Sequence, residues 1–199
     1  MKTSVSHERM IKICECLDVI KKDKMEGSIL EFGIFEGWSL SEMVLHCRKN
    51  QMYHRFYGFD GFQGMPETDH IWSKGDGLST YENTNFLLSQ KLSRLDEVML
   101  VPGFFKATLT AELQQAILKA VLIHVDCDLY SSTVEVLLFC KPLIQKGTFV
   151  IFDEYIEGQE KRAWEDFVER EGLTGEFFVQ DDDNSINART QGQQIFRIS

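Results

Sequence analysis

Proline and positive charge are both scarce in this chain. Three prolines in 199 residues leave no proline-rich linker. No low-complexity tract or internal repeat divides the sequence either, so residues 1–199 read as a single domain. Lys and Arg number 21 against 31 Asp and Glu, a net charge of −10. Binding a phosphate backbone needs a basic face, which argues against nucleic acid as a partner. No apolar run approaches the roughly 20 residues of a membrane helix. The opening stretch, MKTSVSHERMIK, also lacks the apolar segment of a secretory signal. The five cysteines are an odd number without the paired spacing of a zinc site. In their apolar surroundings they point to reduced thiols in a cytoplasmic protein.

What is present is a repeating alternation of short apolar runs and helical patterns. Met10, Ile13, Cys14, Leu17 and Ile20 fall on one helical face, inside an N-terminal helical segment over residues 1–26. Ser28 to Phe32 is too short for a helix and reads as a buried strand. Strand-like runs recur at Arg55–Asp60, Glu97–Pro102, Val121–Val125 and Thr148–Phe152. Helical patterns lie between them at Trp38–Arg48, Tyr81–Arg94, Ala107–Ala120 and Thr133–Ile144, the last bent or ended by Pro142. A helix around Ala163, Trp164, Phe167 and Val168 follows. Phe177–Val179 and Ile195–Ile198 then form two strands joined by a polar loop with Asp181, Asp182, Asp183 and Asn184. Alternation of this kind predicts a parallel sheet with helices on both faces, and the last two strands must pair antiparallel. Residues 61–80, polar and glycine-rich, suit a lid loop.

In such a sheet, ligands collect beyond the carboxyl ends of the strands. The first strand runs into Glu31-Phe32-Gly33-Ile34-Phe35-Glu36-Gly37-Trp38-Ser39, where glycines allow close backbone approach to a ligand. The second ends on Asp60, placed to accept from ribose hydroxyls. Taken alone, Gly33, Gly37 and Asp60 suit a tight turn and a surface acid equally well. The spacing lacks the second close glycine of a dinucleotide site, and Glu31 and Glu36 would repel a pyrophosphate. They suit a ligand with an amino group or a positive centre. S-adenosylmethionine has both.

Two further strand ends carry acids: Asp126-Cys127-Asp128 and Asp153-Glu154. Such carboxylates cap the following helices in many proteins. Gathered in one cleft they repel, and a hard cation such as magnesium would relieve that.

Four blocks carry a family resemblance: Glu31 to Ser39, Tyr57-Gly58-Phe59-Asp60-Gly61-Phe62-Gln63-Gly64-Met65-Pro66-Glu67, Asp126 to Thr133, and Gly147 to Tyr155. Together they resemble the macrocin O-methyltransferase (TylF/MycF) family, class I enzymes dependent on S-adenosylmethionine and magnesium. The resemblance implies a Rossmann-like three-layer α/β sandwich with a mostly parallel seven-stranded sheet and an antiparallel edge hairpin. It implies that Glu31, Gly33, Gly37 and Ser39 meet the methionine end of the cofactor, and that Asp60 meets the ribose. Phe62 and Gly64 would line the adenosine pocket, and Gly103 with Phe105 the adenine side. Asp126, Asp153 and Glu154 would hold magnesium and Asp128 would be the general base. The family has two aspartates where this chain has Asp153 and Glu154. The implied acceptor is a hydroxyl of a sugar or glycosylated small molecule. A catechol-like phenol, or donor binding without methyl transfer, are the alternatives; a homodimer through the N-terminal helix is also expected. His124 and Cys127 read as packed core residues.

Overall fold

A computed structural model of the protein describes residues 4–69, 71–155, 159–173, 175–180 and 192–199. The elements follow in the order α1 (Ser4–Lys22), β1 (Ser28–Phe32), α2 (Trp38–Lys49), β2 (Arg55–Asp60), α3 (Tyr81–Leu92), β3 (Val98–Pro102), α4 (Phe105–Thr108) and α5 (Ala111–Ala116). Then come β4 (Ala120–Val125), α6 (Tyr130–Cys140), β5 (Phe149–Phe152), α7 (Gln159–Glu171), β6 (Gly175–Gln180) and β7 (Gln194–Ile198). The strands form one seven-stranded sheet in the order β3-β2-β1-β4-β5-β7-β6. The first five are parallel; β7 runs antiparallel to both β5 and β6, as the terminal pair predicted. Among the described residues no helix is long and apolar enough to cross a membrane.

Strand side chains alternate between two apolar layers, as a pleated sheet requires. Leu30, Phe32, Phe59, Ile123, Val125 and Phe152 face one layer, with Val136, Trp164 and Phe167 from α6 and α7. Phe32 and Phe59 stack there, ring centroids 4.4 Å apart. Ile29, Phe56, Leu122, Phe149 and Ile151 face the other, with Leu17 and Ile20 of α1 and Leu40 and Val44 of α2. That packing occupies the apolar face of α1 within the chain, while Ile11 of the same helix stays exposed.

The order changes direction between β1 and β4. Chain leaving β1 turns to one side and chain leaving β4 to the other, opening the crevice where ligands bind in such sheets. One detail departs from the expected elements. The helix expected over Ala107–Ala120 is broken into α4 and α5, because Leu109 leaves helical geometry with ψ 67°. Thr110 then starts a new helix, its Oγ1 accepting from the Leu113 N–H at 3.2 Å. Pro142 sits in a short 3-10 turn, Lys141–Leu143, that ends α6. The acidic run Asp181–Asp183 lies outside the described residues.

Candidate functional site

The carboxyl end of β1 is laced to that of β4. The Asp126 N–H donates to the Phe32 carbonyl at 2.9 Å. Gly33, at φ 92°, lies so close that a Cβ there would stand 1.8 Å from the Asp126 carbonyl oxygen. Gly37, at φ 74°, starts α2. From the first turn of that helix, Ser39 Oγ donates to Glu31 Oε1. Glu31 is wholly buried, and its Oε2 has no hydrogen-bond partner among the described residues. A buried carboxylate oxygen without a donor is costly, and an ammonium group would satisfy it.

Asp60 ends β2 with one backbone donor on each carboxylate oxygen: Phe35 N–H to Oδ2 and Phe62 N–H to Oδ1, both at 2.7 Å. Each oxygen keeps a lone pair for another donor. Burial pushes the Asp60 carboxyl above its ordinary value, and those two donors partly oppose it. Phe35 and Phe62 adopt left-handed backbone, at φ 49° and 50°, an uncommon conformation that their hydrogen bonds to Asp60 help hold. Phe62 meets Tyr81 edge to face at 5.7 Å. Gly64 admits no side chain, since a Cβ would lie 2.4 Å from the Gly75 carbonyl oxygen. The Gly103 N–H donates to the Asp60 carbonyl at 2.9 Å. Phe105 packs against Phe32, 5.7 Å away edge to face, and Phe104 lies against Gly61.

The ends of β4 and β5 bring the remaining acids to the same edge, the Asp153 N–H donating to the Val125 carbonyl at 3.0 Å. Asp126 is driven well above the ordinary carboxyl range by burial and then by Asp153. Asp128, at φ 62°, is pushed up to about 10 by burial, by Asp126 and by a hydrogen bond with Glu154. Asp153 goes the other way. Burial raises it, but hydrogen bonding and charge from His124, with Arg9 and Gln193, prevail and hold it below its ordinary value. Arg9 of α1 donates to Asp153 Oδ2 at 2.5 Å and Gln193 to Oδ1 at 3.1 Å.

Three charged side chains complete this edge without a role in the sequence reading. His124 stands between Glu31 Oε1, 3.2 Å from Nδ1, and Asp153 Oδ1, 3.6 Å from Nε2. Glu160 of α7 is fully buried; Oε1 accepts from the N–H of Cys127 and of Asp128, both at 3.3 Å, and Oε2 from that of Glu154 at 3.1 Å. Arg9 is the third. The available signal was position: Glu160 shares a helical face with Ala163, Trp164 and Phe167, and Arg9 with Ile13, Cys16 and Ile20. Cys127 is a packed thiol, its Sγ 3.6 Å from Thr133 Oγ1.

A cavity of about 100 Å³ opens among these groups, lined by Arg9, Met10, Ile13, Trp38, Ser39, His124, Asp126 and Asp153. The unpartnered Glu31 oxygen and the doubly bonded Asp60 carboxylate fit the two polar ends of S-adenosylmethionine. Magnesium fits less well. Among the described residues no three His, Cys, Asp or Glu side chains converge as ligands, and both Asp153 oxygens are held by Arg9 and Gln193.

Comparison with known proteins follows the same lines. The family model for macrocin-O-methyltransferase (TylF) matches residues 1–186. A tetracenomycin-type rhamnoside 4'-O-methyltransferase of Streptomyces olivaceus, 8-demethyl-8-(2,3-dimethoxy-alpha-L-rhamnosyl)-tetracenomycin-C 4'-O-methyltransferase, is 27% identical over 86% of this chain and 69% of its own length. Mycinamicin III 3''-O-methyltransferase of Micromonospora griseorubida is 23% identical over 87% of this chain and 73% of its own. Among solved structures, the O-methyltransferase NovP superposes with a TM-score of 0.79 at 20% identity, covering 95% of this chain and 78% of NovP.

Proposed function

The chain belongs to the macrocin O-methyltransferase (TylF) family of S-adenosylmethionine-dependent enzymes, and we propose that it methylates a hydroxyl on the sugar of a glycosylated small molecule. One observation carries the reading. The Asp60 carboxylate, fixed by two backbone donors, shares a sheet edge with Glu31 and with the acids at the ends of β4 and β5. The relatives above support the acceptor class, since their names place methyl transfer on a rhamnosyl-bearing tetracenomycin and on mycinamicin III.

In this reading Asp60 accepts from the ribose hydroxyls, while Glu31 and Ser39 take the ammonium end of the methionine. Gly33 and Gly37 let the backbone approach that end, and Phe62, Gly64 and Gly103 flank the nucleoside. The 61–80 loop is a lid, held together by paired hydrogen bonds between Asp69 and Trp72, by the Met65 N–H donating to the Asp76 carbonyl and by the Gly75 N–H donating to the Met65 carbonyl. When bound, S-adenosylmethionine supplies a methyl group on a sulfonium cation, whose charge lowers the pKa of nearby carboxyls. Asp128 is the general base. With its pKa near 10 it holds a proton in the cleft as it stands. With its own proton given up to solvent, the Asp128 carboxylate would take the proton of the acceptor hydroxyl, and the cofactor would supply the methyl group as its carbon–sulfur bond breaks, leaving S-adenosylhomocysteine. Asp126, Asp153 and Glu154 shape the electrostatics around it, and no step is assigned to magnesium, whose ligand set is not assembled. Five unpaired cysteines support a reducing, cytoplasmic setting.

Calorimetry with S-adenosylmethionine, in EDTA and then in magnesium, tests the donor. Donor affinity is expected to be the same in both, because Glu31 and Asp60 need no ion. Methyl transfer from labelled donor to a panel of deoxysugar glycosides and catechols tests the acceptor. Exclusive catechol methylation would replace the sugar reading, and failure to bind the donor would end it.

A further inference from the structure

Glu31 alone does not explain how its carboxylate comes to offer one particular oxygen. Both Ser39 Oγ and His124 Nδ1 converge on Oε1, so this oxygen is spoken for, and Oε2 has no partner among the described residues. The imidazole that holds it is itself buried, with 1% of its surface exposed. Its far nitrogen points to Asp153, which Arg9 and Gln193 grip in turn. A carboxylate oxygen only accepts, so Nδ1 is the donor in the contact with Glu31. His124 therefore ties the end of β1 to the end of β5 from near the end of β4, at the cavity that it lines with Ser39 and Asp153.

We propose that His124 is a positioning residue of the donor site: by fixing Glu31 Oε1 from Nδ1, it reserves Oε2 for the ammonium group at the methionine end of the cofactor. The inference rests on the reading of Glu31 given above and adds a specific consequence to it. Without the imidazole, the Glu31 carboxylate is free to rotate toward Ser39 or to collapse onto the vacated space. Recognition of the amino-acid end then weakens, while the nucleoside end, held from β2 by Asp60, is untouched.

Two ligands separate these ends. S-adenosylhomocysteine carries the amino-acid end; 5'-methylthioadenosine has the same nucleoside and sulfur but lacks it. Three variants separate the two nitrogens. His124→Asn places an amide N–H near the position of Nδ1, His124→Gln reaches toward Nε2, and His124→Leu replaces neither. Calorimetry is expected to show S-adenosylhomocysteine weakened about tenfold or more in His124→Leu and His124→Gln, the size of one lost hydrogen bond to a charged group. Affinity for 5'-methylthioadenosine stays within about twofold of the parent in the same proteins, and His124→Asn recovers most of the lost affinity. Equal weakening of both ligands, or no weakening of S-adenosylhomocysteine in His124→Gln, overturns the proposal even if His124→Leu fails to fold. A parent protein that binds neither ligand overturns the donor reading itself, and is recognised before any variant is made.

Discussion

The backbone N–H of Glu154 donates to the side chain of Glu160 at 3.1 Å, so a residue of α7 holds the loop that leaves β5. The same carboxylate accepts the Cys127 and Asp128 N–H groups at the end of β4. Removing it strands three backbone donors in a buried site. Glu160→Ala is therefore expected to lose about 3 kcal/mol or more of stability in urea unfolding. Glu160→Gln, which keeps an accepting oxygen, should lose less. A loss under about 1 kcal/mol in the alanine variant would mean that water replaces the carboxylate.

Two glycines with nearly the same backbone angle make a second test. Gly33 has φ 92° and a Cβ there would collide with the Asp126 carbonyl; Gly75 has φ 93° and nothing within 4 Å. Gly75→Ala pays only for the left-handed conformation, about 1 to 2 kcal/mol. Gly33→Ala must also push β1 and β4 apart, so it should lose donor binding or fail to fold. Equal melting temperatures for the two variants would contradict the close approach.

Asp128→Asn should leave donor affinity near the parent value in calorimetry and lower turnover by roughly 10²–10⁴-fold, the usual loss with a general base. The reading assigns proton removal to this carboxyl alone. Unchanged turnover on an acceptor that the panel identifies would move the base to another residue.

The thiols give a prediction in pH. Burial, then neighbouring Asp18, Glu42 and Glu15, raises Cys14 from 9.0 to about 11. Burial, then Cys14 and Asp18, raises Cys47 to about 12. Well below pH 9 both thiols are neutral whether the chain is folded or not. Above it the unfolded chain ionises first, so the stability they contribute is lost as pH rises from about 9 to 12. At pH 8.5 the folded thiolate fraction is lower than the unfolded one by roughly 100-fold or more, and alkylation should slow to match. Labelling as fast in buffer as in denaturant would show that these side chains are not packed as described.

Much of this site was legible in the sequence because its chemistry sits at strand ends, where apolar runs stop on a polar residue. Asp60, Asp126 and Asp153 each follow such a run, and the sheet brings them to one edge. The division of α4 from α5 was hidden, since Leu109 breaks the helix with a residue that suits one. Arg9, His124 and Glu160 were harder still. Each occupies an apolar face of its element, and its partner lies between 6 and 144 residues away along the chain. Periodicity reports which face is buried; it does not report which buried charge meets another.

The turn between α2 and β2 lies at the opposite end of the sheet from Asp60, Asp126 and Asp153, and Tyr53 stands there 92% exposed. With the native sulfhydryls sluggish, a single Tyr53→Cys change would give a fast-reacting handle for a fluorophore or a solid support. A support attached there would leave the edge that carries Asp60, Asp126 and Asp153 unobstructed.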